Sequence, residues 1–148
     1  MIRAFILSLF FGLSAAAADD LADAKVAFTN LITYQKTDDI RALDLFSKHC
    51  LITYTVNDGK TEKIAVVPAE AFLEGLKKEI AQKHGSKDEY EDVKFSSDGP
   101  KVTVTATIRN PGSDKRSPFF AVYGRDVDDG AMRIEKFKIT IFIHEPKQ

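Results

Sequence analysis

The chain is poor in the residues that commit a fold to metal or covalent chemistry. It has one cysteine, Cys50, and three histidines among 148 residues. A single cysteine cannot close an internal disulfide. His49, His84 and His144 are scattered, and no H-E-x-x-H or C-x-x-C spacing brings ligands together. No metal and no cofactor are therefore expected. No serine stands in a G-x-S-x-G context, and Asn57-Asp58-Gly59-Lys60 reads as a hairpin turn rather than a phosphate loop. Charge of one sign is missing as well. The formal net charge is −1, with Lys77 and Lys78 set against Glu74 and Glu79. A nucleic-acid binder needs a one-signed stripe, and a membrane-surface helix needs a basic face opposite an apolar one. Neither is present, and the chain has no internal repeat or low-complexity segment.

What the first residues do have is an address. Arg3 supplies a positive start, Ala4 to Leu13 is uncharged and mostly apolar, and Ala16-Ala17-Ala18 fits the small-residue cleavage pattern. A helix of about ten residues covers only about 15 Å, half of a bilayer's hydrocarbon core, so no membrane span is expected. Residues 1–18 read as a signal peptide, cut after Ala18 or, nearly as well, after Ala17. The expected compartment is the periplasm or the exterior. The remaining chain from Asp19, about 130 residues, is the length of one domain.

The mature part opens with helical periodicity. Leu21, Ala24, Phe28, Leu31, Ile32 and Gln35 fall on one stripe, with Asp19 or Asp20 placed to cap its start. Thr37-Asp38-Asp39 is expected to cap a shorter second helix that carries Ile40, Leu43 and Phe46 inward and ends near His49. The period then switches to two. Cys50–Val56 and Thr61–Val67 form a hairpin about the Asn-Asp-Gly turn. Pro68 starts a helix with Phe72, Leu73, Leu76 and Ile80 on its apolar stripe. Four strands follow: Tyr90–Phe95, Lys101–Arg109, Ser117–Val127 and Met132–His144. Their short connections predict an antiparallel meander.

This order is carried by the segments DIRALDLFSKHCLITY, PAEAFLEGLKKEI, VTVTATIRN, FFAVYGRDV and AMRIEKFKITIFI. It resembles the NTF2-like superfamily, the fold of nuclear transport factor 2, ketosteroid isomerases and SnoaL-type cyclases. The resemblance implies an α+β cone: a strongly bent antiparallel sheet wrapped around the N-terminal helices. A cystatin-like sheet on one helix is the competing architecture, and two opening helices favour the first.

A cone of this kind implies a pocket, and the aromatic residues Tyr34, Tyr54, Phe119, Phe120 and Tyr123 are candidates to line it, with Arg109 placed to meet an anionic group. The alternative is that these aromatics fill the core and Arg109 is a solvated strand end. Where relatives carry a catalytic acid this chain has Lys48-His49. His49 as a base and Asp44 as an acid are the weak catalytic candidates. Against them, a histidine suits a helix C-terminus, and Asp44 pairs with Lys48 at helical spacing. Cys50 reads as a small buried hydrophobe, or as a thiol activated by His49. Thr103, Thr105 and Thr107 make a flat, uncharged strand face, either a homodimer surface or an ordinary wet sheet face. The expected function is a small hydrophobic or amphipathic ligand held without catalysis. A cofactor-independent isomerase or cyclase, or an interaction module with a filled cone, are the alternatives.

Overall fold

The computed structural model describes residues 2–112 and 115–143, with side chains described from residue 16 onward. Helix α1 runs Ile2–Lys36, a 3₁₀ helix covers Ile40–Leu45, and strands β1 (Phe46–Asn57) and β2 (Glu62–Val67) form a hairpin. Helix α2 (Ala69–Ala81) leads into β3 (Glu89–Asp98), β4 (Lys101–Arg109), β5 (Arg116–Arg125) and β6 (Met132–Phe142). No helix of the described residues is long and apolar enough to cross a membrane.

The six strands make one curved, unclosed sheet in the order β2-β1-β6-β5-β4-β3. The last four strands form the expected antiparallel meander. The correction concerns β1, which joins β6 in parallel, Ile52 opposite Phe137, so the sheet is mixed. Turn signals report only sequence neighbours, and this pairing joins the beginning of the sheet to the end of the chain.

The inner face holds the core. The alternation of β4 buries Val102, Val104 and Ala106, while the matching face of β5 buries Phe119, Ala121 and Tyr123. Helix α1 lies over β3–β6 with Ala24, Phe28 and Leu31 buried, and α2 lies over β1. Phe119 is the hub: its ring centroid is 5.5 Å from Phe28, 5.5 Å from Tyr90 and 5.6 Å from Phe137.

Two local expectations change. Asp20 caps nothing, because α1 continues through it; its carboxylate instead accepts from Arg125 Nε at 3.0 Å, and Asp23 takes Nη2 at 2.6 Å. The second helix is a six-residue 3₁₀ helix rather than an α-helix, capped by Asp39 on the Arg41 amide, and β1 begins at Phe46. Between Phe46 and Leu51 the register against β6 slips. The burial pattern there is two in, two out, which mimics a helical turn in sequence.

Candidate functional site

Beside the Phe119 hub the inner face leaves a cavity of about 320 Å³. Phe72 and Leu76 of α2 close one side, and Phe119, Phe137 and Ile139 of the sheet close the other. Polar residues line it from several elements: Gln35 at the end of α1, Tyr54 on β1, Glu79 on α2, Asp88 just before β3, Tyr90 on β3, Ser117 on β5, and Lys138 and Thr140 on β6. The Tyr90 hydroxyl donates to Gln35 Oε1 at 3.1 Å. Burial, and then the negative charge of Asp88, pushes the Tyr90 phenol well above its ordinary range. Tyr54 is raised too, first by burial and then by Glu79. Both phenols therefore stay protonated and can donate hydrogen bonds at any physiological pH.

Gln35 is held by a strap. The Gly85 amide donates to Asp38 Oδ1 at 3.1 Å, and the Ser86 amide donates to the Gln35 carbonyl at 2.9 Å. The loop after α2 is thus tied to the last turn of α1, which fixes the Gln35–Tyr90 pair at the cavity wall. A second, more open hollow of about 460 Å³ lies between α2 and the β1–β2 hairpin. Tyr54, Phe72, Leu76 and Glu79 line both hollows and so form the partition between them.

The sequence-derived candidates divide by face. Tyr54 and Phe119 line the cavity. Tyr123 points to the same face but is fully buried, with its hydroxyl unpartnered, and burial raises its phenol strongly. Phe120 faces outward, because adjacent strand residues point to opposite sides; the Lys138 ammonium sits 4.6 Å from its ring centroid. Tyr34 is away from the cavity, its ring under the Arg41 guanidinium at 4.7 Å. Arg109 is on the outer face, ion-paired to Glu89 and, at 2.8 Å, to Glu91.

Neither weak catalytic candidate reaches the cavity. His49 is exposed on β1, and no helix ends at it. Asp44 belongs to a different hollow of about 360 Å³, where its carbonyl accepts from Arg133 Nε at 2.9 Å. Lys48 lies on the strand, so the helical pairing with Asp44 does not arise. His84 is exposed, and His144 lies outside the described residues. Cys50 is buried; desolvation, followed by the charge of Glu135, pushes its thiol up to about 12, so it stays the inert hydrophobe of the first reading.

Gln35, Glu79, Asp88 and Tyr90 were not singled out from sequence as site residues. A signal did exist for two of them. Gln35 closes the apolar stripe of α1, and Glu79 continues the Phe72–Leu76 stripe of α2, each a polar side chain on a core-facing line.

Comparison with solved structures decides the fold. The chain is similar to a candidate scytalone dehydratase from Novosphingobium aromaticivorans, at 10% identity and a TM-score of 0.59 over 85% of this chain and 86% of that one. It is similar to an NTF2-like protein from Cytophaga hutchinsonii, at 14% identity and 0.57 over 80% and 94%. The fold is NTF2-like. A cystatin-like fold protein from Burkholderia xenovorans matches at 14% identity and 0.60 over 86% and 95%. No family model and no curated protein matches the sequence. In this NTF2-like cone the cavity opens between α2 and the inner face, with its donors on α1, β1 and β3.

Proposed function

We propose that this chain is an exported NTF2-like protein that holds a small hydrophobic or amphipathic molecule in its cone without catalysing a reaction. The observation that carries this reading is the cavity of about 320 Å³, with apolar walls and a few phenol, amide and carboxylate tips. That size and lining suit a small ligand, and they count against a cone filled by its own side chains. The isomerase or cyclase alternative rests on His49 and Asp44, and both lie outside the cavity, whose carboxylates are Glu79 and Asp88. Export rests on the leader pattern of residues 1–18, a positive start, an uncharged run and the Ala16-Ala17-Ala18 cleavage site.

The test uses protein recovered from the periplasmic fraction, whose mass should correspond to a chain beginning at Asp19 or Ala18. Phenylnaphthylamine, a neutral apolar dye, should bind it and brighten. Leu76→Trp fills the space between Leu76 and the sheet and should weaken the dye by about tenfold or more, with the fold intact by circular dichroism. Dye binding that ignores this change, or no binding at all, would defeat the proposal.

A homodimer through the outer sheet face belongs to the same reading. Thr103, Thr105 and Thr107 are half-exposed there, and Leu51, Ile64 and Val66 are exposed on that face at its β1–β2 end. Thr105→Arg would set like charges against each other across a two-fold axis, so sedimentation should show the dimer weakened by about tenfold or more. A wild-type chain that sediments as a monomer at high concentration removes the dimer and leaves the cone untouched.

A further inference from the structure

The electrostatics of the cavity run opposite to the sequence expectation. Arg109, the cation expected to receive an anionic ligand, is engaged by Glu89 and Glu91 on the outer face. The one basic residue among those lining the cavity, Lys138, places its ammonium over Phe120, on the outer face. With the Lys138 ammonium turned to the outer face, the charged groups left at the cavity are acidic: Glu79 and Asp88, each near enough to a tyrosine to raise it. Asp88 takes a bond from the Asn110 amide at 3.4 Å, a neutral donor that leaves the carboxylate's charge in place.

Resting on the cone-binding reading, we propose that the ligand is an amphipathic cation. Its amine or quaternary ammonium head meets Glu79 and Asp88, and its apolar remainder lies against Phe72, Leu76 and Phe137. The second hollow points the same way. Glu79 is the one charged residue among those lining it, and Val56, Ala65 and Val67 supply apolar surface there. A cation at Glu79 therefore has apolar wall on both sides of the partition. The Tyr54 ring stands in that partition, and an aromatic face attracts a positive head without requiring a hydrogen bond. Glu79 is exposed at the edge of the hollow, where it can meet a cation whose apolar remainder enters the hollow.

The test titrates the protein, as its host produces it, with three probes that share one tail: decyltrimethylammonium, decyl maltoside and decyl phosphate, all below micelle formation. The ammonium probe should bind about tenfold tighter than the maltoside, and the phosphate weakest. Glu79→Gln combined with Asp88→Asn should erase the preference while leaving the maltoside affinity unchanged. Both positions are outside the buried core, so the double variant should melt with the wild type. Leu76→Trp should weaken all three probes, which assigns the binding to this cavity. Equal binding of the ammonium and maltoside probes, or a preference that survives the double variant, overturns the cationic head but leaves the cone reading standing. Failure of all three to bind overturns both.

Discussion

Phe119→Ala is expected to cost about 3–5 kcal/mol, the range for deleting a large buried aromatic. The side chain is 3% exposed and meets rings from α1, β3 and β6, so its loss opens a void that no single neighbour can collapse into. For a domain of this size the melting temperature should fall by about 10 °C or more. Urea unfolding of the variant beside Phe120→Ala measures it. Phe120 lies one residue away on the outer face, with a lysine over its ring, and its removal should cost well under half as much. Equal costs at the two positions would mean that the inner and outer faces have been misassigned.

Gly85→Ala is expected to destabilise by about 2–3 kcal/mol through backbone strain and a clash together. Gly85 has φ +60°, and an added Cβ would stand 2.7 Å from the Lys36 carbonyl oxygen, a backbone atom in the last turn of α1. Gly99 supplies the control. Its φ is +57°, but an added Cβ there meets nothing within 4 Å, so Gly99→Ala should show the conformational cost alone, about 1 kcal/mol. The excess at Gly85 reports the strap that holds Gln35 against Tyr90. If the two substitutions cost the same by chemical denaturation, the strap contributes nothing and Gln35 is held by other means.

Periodicity carried most of this architecture. The threonine–aliphatic alternation of β4 and the apolar stripes of both helices were legible because each is a local pattern with one buried face. The stretch Phe46–His49 was not. Its slip of register against β6 buries Phe46 and Ser47 together and exposes Lys48 and His49, a pattern of neither period two nor a full helix. That misplaced the boundary of β1 and moved His49 from a helix end to an open strand. The candidate site was half legible for a related reason. Tyr54 and Phe119 are large apolar-bodied residues on inward positions, and size flagged them. Phe120 and Arg109 were equally large, and only the parity of their strands sends them outward. The polar lining converges from elements distant in sequence, and only the two residues interrupting helical stripes, Gln35 and Glu79, carried a local mark.

The strand order places β6 between β1 and β5, so the last strand in the chain is the one that joins the two halves of the sheet. Until it is made, the β1–β2 hairpin and the β3–β4–β5 meander have no hydrogen-bonded connection, and Ile52 waits for a partner at Phe137. Such non-local, parallel closure is slow because its entropy cost falls due before the contacts that offset it. The sheet therefore stays in two parts until β6 has paired with both β1 and β5. Pairing of β6 is thus the step that couples the two halves into one sheet.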